Sequence, residues 1–374
     1  MNDLLLDAGE VAFRDEVRAY LVSTAPERDP LQIFRDRGPR TRALYGALGE
    51  LGWLAIAWPP EFGGGGRPPV FEFILWDELA YARAARLDIG PTVVAKTLMR
   101  HGTRAQQDRF LPDLRLGLKG YALGYSEPEA GSDLPGLRVM AVRDGDRYRI
   151  TGEKRWTSDA HHSDFIWLLA RTGTSEQRAR GLSLFIVEAH SPGISISPIP
   201  TLDGHQVNEV RFDTVEVPLA NRIGPENGAW PMMREALAEE RHLQVLPGRI
   251  RRDLEDLAAW AEASGSLTDP DLQLRLGEFR TGLHEVEAMA VSLVADELGG
   301  DERDVLAAAA KLVGTSLLQR IARTPIELGY DEQAIEGSLF EFLWRECVVE
   351  TIGAGTTEMM LDIVSRRGLK LGAG

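Results

Sequence analysis

The strongest constraint in this sequence is a change of periodicity partway along it. Up to about Gly120 the apolar residues recur at helical spacing, first Val11, Phe13, Val17, Tyr20 and Leu21, then Leu44, Leu48 and Leu51. From Tyr121 onward short alternating or apolar runs take over: RYRIT, DFIWLLA, GLSLFIVEA, GISISPI and EVRFDTVEV, separated by Gly, Pro, Asp and Ser. The Asp-Gly-Asp at 144–146 between two such runs predicts a hairpin, and the even spacing of short strands predicts a small barrel or sandwich. Past about Asn227 helical spacing returns. Leu272, Leu276, Phe279, Leu283, Val286, Ala290 and Leu293 form a narrow seam, and Val305, Ala309, Leu312, Val313, Leu317 and Ile321 form a second stripe, expected antiparallel to it in a bundle. Part of the seam is a candidate subunit interface. The fold class is α+β, with a helical domain over 1–120, a β domain over 121–226 and a helical bundle over 227–374.

Within the first domain, FEFILWDELAYARAAR and HGTRAQQDRFLPDLRLG read as helices, the latter cut short at Pro112. The stretch WPPEFGGGGRPP, Trp58 to Pro69, reads as a turn. Its glycines make a poor phosphate cradle, because Pro68 and Pro69 stand where a helix with free N–H groups would have to begin.

Charge and composition remove whole classes of function. A formal charge of −15 with no basic stripe argues against nucleic acid, and any phosphate recognition has to come from local donors. No run of eighteen apolar residues occurs and the chain opens MNDLLLDAGEVAFRDE, so neither a membrane span nor a secretory signal is expected and the default location is cytoplasmic. Cys347 is the single cysteine and reads as a buried bystander. His161 and His162 lack partners at ligand spacing, and His284-Glu285 has no second His four residues on, so no metal site is expected. Gly124, Tyr125 and Ser126 begin like a nucleophile elbow, but Pro128 occupies the place of the closing glycine.

Two motifs at the start of the β domain make unusual demands. GYSEPEAGSDLPG, Gly124 to Gly136, is a polar turn whose backbone N–H groups and hydroxyls suit a ligand; GEKRWTS, Gly152 to Ser158, sets an indole beside two hydroxyls. Taken singly, a strand tryptophan is ordinarily core and its hydroxyl neighbours ordinarily solvated. Taken together, with WPPEFGG, HGTRAQQDRFLP and GAGTTEMMLDIVSRR, they resemble the acyl-CoA dehydrogenase family along the whole chain.

That resemblance implies an N-terminal helical domain, a middle antiparallel β domain and a C-terminal four-helix bundle, with FAD as cofactor. Leu123, Gly124, Tyr125, Ser126, Gly131 and Ser132 would contact the flavin, Ser132 also bordering the acyl-CoA. Trp156 would pack on the ring system beside Thr157, and Ser158 would stand for the family's threonine at flavin N5. Thr356, Thr357 and Glu358 match the C-terminal segment that contacts FAD, with Glu358 where Gln is common. Tyr125 replaces the usual aliphatic residue in one wall of that pocket.

The implied reaction removes a proton from C2 of an acyl thioester and a hydride from C3, and needs a carboxylate base. The family's frequent base position, before the Gly-Thr pair, holds Ala354. Relatives with a relocated base carry a Glu-Arg pair in the first helix of the C-terminal domain, and counting ten residues from Trp230 reaches Glu240-Arg241, with Glu239 as the competing register. Arg241 and Gly355 would border the substrate, and the Ala354 N–H could polarise the thioester carbonyl without a side chain. The family's Arg-x-x-Phe-Gly and Gln-x-x-Gly-Gly-x-Gly segments are missing; the corresponding regions read EASGSLTDPDLQ and TPIELGYDEQAI. The expectation is therefore a hetero-oligomer with a second family member, or a homo-oligomer with altered FAD binding. The substrate would be acyl-CoA or another acyl-pantetheine, and the acceptor an electron-transfer flavoprotein or similar protein. A flavin-dependent monooxygenase on the same fold and a non-catalytic flavin-binding subunit are the alternatives.

Overall fold

A computed structural model describes residues 5–24, 39–85, 88–244, 246–295 and 300–372, with the side chains of 39–40, 238–242 and 244 outside the description. The chain divides into two compact units. One holds α1 (Ala8–Thr24), α3 (Pro69–Tyr81) and the chain from Glu240 onward; the other holds α2 (Pro39–Glu50), α4 (Ala95–His101), α5 (Arg104–Arg115) and eight strands. The division falls inside α6 (Ala229–Gln244).

The strand-bearing unit is one hydrogen-bonded sheet in the order β6-β7-β3-β2-β4-β5-β8, with β1 paired to β4. The strands are β1 (Tyr121–Gly124), β2 (Met140–Asp144), β3 (Arg147–Ser158), β4 (Phe165–Arg171), β5 (Leu182–Glu188), β6 (Ile194–Pro200), β7 (Gln206–Pro218) and β8 (Arg222–Ile223). Most ladders are antiparallel, but β1 and β2 both run parallel to β4, so the sheet is mixed. β2 and β4 share one pair, Met140 opposite Arg171. Tyr148 on β3 and Phe185 on β5 are three strand spacings apart along the ladder, roughly 14 Å if the sheet were flat. Their rings meet edge to face at 4.9 Å. The sheet therefore folds over at the β2/β4 junction, and the sandwich expected from strand spacing is two halves of one sheet. Tyr148, Ile150, Phe185, Val187, Val210 and Phe212 fill the space between them. The predicted hairpin turns at Gly145–Asp146.

The other face of β4 and β5 is covered by helices. Trp167, Leu184 and Ile186 pack with Val94 and Leu98 from α4 and its lead-in and with Phe110 and Leu114 of α5. α5 opens with a capping box between Thr103 and Gln106, and the Gln106 amide also donates to Ala220 O and Arg222 O at 2.7 and 2.8 Å. The expected stop at Pro112 does not occur. Pro112 lies in the last turn, where its missing N–H forfeits a single ladder bond, and the helix runs to Arg115. The glycine-rich stretch is a turn for a steric reason: Gly66 N–H donates to Trp58 O at 2.9 Å, and a Cβ on Gly64 would lie 2.2 Å from that oxygen.

The helical unit is built on α7 (Pro247–Ala263), α8 (Pro270–Val294), α9 (Gly300–Glu327), α10 (Leu339–Cys347) and α11 (Thr357–Ile363). On α8 the predicted seam faces inward, all buried but Leu276, which is half-buried. The stripe on α9 needs correction. Leu317 and Ile321 are buried, but Val305, Ala309, Leu312 and Val313 are half-buried, because α9 buries two faces. Leu317 and Ile321 meet α7, α8 and α10, while Val305 and Leu312 pack on Met360 and Ile363 of α11. Small residues and Lys311 occupy the crowded line between. α9 has the length and apolarity of a membrane span, and much of it is buried within this unit.

α3 is apolar all round and is correspondingly buried, with Asp77 and Glu78 buried too. Arg18 grips Glu78 through two bonds of 2.8 and 2.9 Å, and Arg251 reaches Asp77 at 3.3 Å and Glu287 at 3.4 Å. Arg249 bridges Asp253 at 3.0 Å and Glu346 at 2.6 Å. Burial holds the Asp77 carboxyl well above the usual carboxylate range, and pushes the thiol of Cys347, next to Glu346, up to about 12.

Candidate functional site

The two central motifs come together in the strand-bearing unit. β1 delivers Leu123 opposite Trp167 and ends at Gly124. The chain then turns, with Glu127 and Ala130 exchanging N–H···O bonds of 3.0 and 3.2 Å. Arg155 N–H donates to Ser126 O at 2.9 Å, stapling one motif to the other. Leu123 and Ser126 are half-buried and Gly131 and Ser132 exposed. Tyr125 points into the core shared with Trp58 and Leu98, so its contribution at this surface is made by its backbone.

Beneath the motifs lies a buried ion pair. Lys154, 0% exposed, donates to Tyr125 O and to Glu127 Oε1, both at 2.8 Å. Glu127 also accepts from Arg138 N–H at 2.6 Å and Val139 N–H at 2.9 Å. Burial brings the Lys154 ammonium down to about 8, against the opposing pull of Glu127. Arg171 holds the far side of the same loop, donating to Pro135 O at 2.7 Å and Leu137 O at 2.9 Å, and to Thr174 O at 2.9 Å.

On β3 the register against β7 slips between Lys154 and Thr157. This bulge turns Trp156 outward: its φ is 65° and it is 53% exposed, a costly arrangement for a large aromatic residue. Ser158 is exposed as well, whereas Thr157 is buried and its Oγ1 finds no partner among the described residues. Asn208 fixes the backbone here, donating to Thr157 O at 2.9 Å. An exposed indole, an exposed hydroxyl and an unpaired buried hydroxyl on consecutive residues form a surface suited to a flat aromatic ligand carrying hydrogen-bonding edges.

The C-terminal candidates lie in the helical unit. Gly353–Gly355 forms a strained loop, with Ala354 at φ 51° and Gly355 at φ 102°. The backbone conformation calls for glycine at Gly355, while a Cβ there would meet only the movable end of Met360, Cε at 2.7 Å. Thr356 caps α11, its hydroxyl accepting from Met359 N–H at 3.3 Å. Thr357 is half-buried in the first turn beside Glu358, which is exposed and whose carboxyl is held below its usual range by its own backbone N–H and by Thr356. Lys311, 2% exposed, donates to Gly353 O and to Gly355 O, the latter at 2.7 Å. Glu239, Glu240 and Arg241 lie on α6, and their side chains lie outside the described residues.

Sequence reasoning missed Glu127, Lys154, Arg171 and Lys311. For two of them a signal existed. Lys154 keeps the inward parity of Tyr148 and Ile150 along β3, and Lys311 interrupts the run Ala307–Ala310 on an apolar helix.

The family profiles described as acyl-CoA dehydrogenase N-terminal, middle and C-terminal domain match residues 8–117, 122–215 and 227–369. The chain is 33% identical over 372 residues to acyl-CoA dehydrogenase FadE29 of Mycobacterium tuberculosis, covering 95% of each. A solved structure described as Tcur3481-Tcur3483 steroid ACAD superposes with a TM-score of 0.91 at 33% identity, covering 99% of both chains. The ChsE4-ChsE5 complex from Mycobacterium tuberculosis superposes with a TM-score of 0.88 at 32% identity over 98% of each.

Proposed function

The chain belongs to the acyl-CoA dehydrogenase family, and within it we propose that FAD binds at the β3 bulge and that Glu240 is the base converting an acyl thioester to its 2,3-enoyl thioester. The observation that carries the cofactor assignment is the triplet Trp156-Thr157-Ser158, a strained exposed indole beside one exposed and one unpaired hydroxyl. FAD supplies the acceptor for the hydride that leaves C3.

The residues of the chain do the rest. Trp156 stacks on the flavin and Ser158 with Ser126 orients its polar edge, while Gly131, Ser132, Gly355 and Arg241 border the thioester. Thr356, Thr357 and Glu358 hold the cofactor from the C-terminal segment. The Glu240 carboxylate takes the C2 proton, and the electrons of that C–H bond become the new C2–C3 π bond. Negative charge gathering on the thioester oxygen is met by the Ala354 N–H, a role for which the alanine side chain is no handicap. Replacing Glu240 by Gln is expected to leave flavin content unchanged and to slow substrate bleaching of the flavin and exchange of the C2 proton with solvent by about 10²- to 10⁴-fold. Unchanged exchange would sink the assignment, and a loss confined to Glu239→Gln would move the base by one residue.

The proposal extends to partners. The chain lacks the arginine-bearing segment that relatives use at the adenine end of FAD, and two similar structures are described by two chain names. A second family member therefore completes the cofactor site, and reducing equivalents pass to an electron-transfer flavoprotein or a similar acceptor. Stoichiometric FAD in the chain purified alone would count against that partner. The steroid designation of one relative makes a steroid-derived acyl-CoA the first substrate to assay, beside other acyl-pantetheines. The names of the relatives given above do not support the monooxygenase and non-catalytic readings.

A further inference from the structure

We infer that Lys311 is a positioning residue for the carbonyl-polarising loop: its buried ammonium sets the direction of the Ala354 N–H. The inference rests on the assignment of that N–H to the thioester carbonyl and adds the device that aims it.

Lys311 sits on α9 with its ammonium against two carbonyls, Gly353 O and Gly355 O, on either side of Ala354. In a trans peptide the C=O and the following N–H point in opposite directions. With Gly353 O turned onto Lys311, the N–H of Ala354 is directed away from it; with Gly355 O turned the same way, so is the N–H of Thr356. The conformation is strained, since Ala354 holds a left-handed φ of 51° that a residue with a Cβ adopts reluctantly. Two charge-assisted bonds to the carbonyls that flank Ala354 are the kind of contact that over-determines such a backbone. On the same helix Thr315 Oγ1 donates back to Lys311 O at 2.8 Å, a bond internal to α9.

A lysine placed only for packing would be replaceable by an apolar chain of similar length. A lysine that aims the donor would not, and its loss would appear wherever negative charge develops on the thioester oxygen. The reporter is a 3-oxoacyl-CoA, whose bound enolate carries that charge at equilibrium and whose ionisation is read from its own absorbance.

In Lys311→Met, assembled with whatever partner the wild type needs, flavin content and KM for acyl-CoA are expected to stay within about threefold of wild type. Meanwhile kcat should fall about 10²-fold, the loss typical of one oxyanion donor. The pKa of the bound 3-oxoacyl-CoA should rise by about two units, the same factor expressed as an equilibrium. A loss carried by KM with the enolate pKa unmoved, or a variant indistinguishable from wild type, overturns the inference. If Lys311→Met is too unstable to purify, Lys311→Leu, which likewise lacks a donor, is put through the same two measurements, and the same results support or overturn the inference. Replacing Ala354 by lactic acid, which turns its N–H into an ester oxygen, separates the two layers. A wild-type enolate pKa in that ester removes the N–H assignment itself, whereas a raised pKa there beside a normal one in Lys311→Met removes Lys311 alone.

Discussion

Each unit of the molecule secures its glycine-containing loop with a buried lysine, and the two do it differently. In the strand-bearing unit Lys154 joins a carboxylate, Glu127, and a carbonyl, Tyr125 O. In the helical unit Lys311 joins two carbonyls, Gly353 O and Gly355 O. The first links the two central motif segments through an ion pair, whose loss strands a charge. The second fixes the backbone direction of one loop, whose loss strands carbonyl groups. The lesson is that ammonium groups of equal burial carry different weights, set by what remains when they are removed. Lys154 guards the integrity of its unit; Lys311 guards the aim of one peptide.

The largest effect that would test this difference is on stability. Lys154→Met should cost about 3–5 kcal/mol, the usual penalty for leaving one member of a buried pair behind. Lys311→Met should cost about 1–3 kcal/mol, the penalty for buried acceptors left without donors. Urea denaturation of both variants measures the gap, and equal costs would erase the distinction.

The same pair has a pH signature. Folding lowers the Lys154 ammonium to about 8, so between that value and the ordinary lysine range the unfolded chain binds more protons than the folded one. Stability from this group alone therefore rises as pH increases through that window, and it is least where both forms are protonated. Wild type minus Lys154→Met, followed by denaturation from pH 7 to 10, should show a rising difference; a flat one would mean that Glu127 fully compensates the burial.

A smaller effect separates architecture from ligand at the bulge. Thr157→Val removes a buried hydroxyl that has no partner among the described residues, so the cofactor-free protein should lose nothing or gain slightly. Flavin affinity should weaken about tenfold, the worth of about one hydrogen bond. Equal affinity by fluorescence titration would show that the hydroxyl is idle. The smallest effect belongs to the exposed pair Arg178–Asp133, on the same loop that Arg171 holds through carbonyls. Arg178→Ala should change stability by less than about 1 kcal/mol, within the range of surface pairs.

Much of this was legible in the residues, for reasons of range. The strand runs read from 147 to 218 are strands: those of β3 and β7 largely alternate inward and outward residues, and those of β4 and β5 are short apolar runs buried on both faces. The seam on α8 was legible for the same reason at helical spacing. The stripe on α9 misled because periodicity reports one face, and α9 buries two. Tyr125 could be read as a pocket wall from its motif, yet its ring is core, because the turn at Glu127–Ala130 decides which way the chain presents it. Helices α1 and α3 stand in sequence with α2, α4 and α5 but belong to the other compact unit, and no local pattern marks that exchange.

By itself the sequence determined most element types and the family, and it offered Ala354 and Glu240 as the positions on which the base question turns, since these depend on residue identity and on spacing within a few turns. Only the tertiary structure decided which cations are buried and what they hold. Lys154 meets Glu127 across 27 residues and Lys311 meets Gly353 across 42. The exposure of Trp156 follows from a register slip against β7, more than fifty residues further on. A polar group tolerates burial only if its partner arrives, and that partner is brought by the fold rather than by any neighbour in the chain.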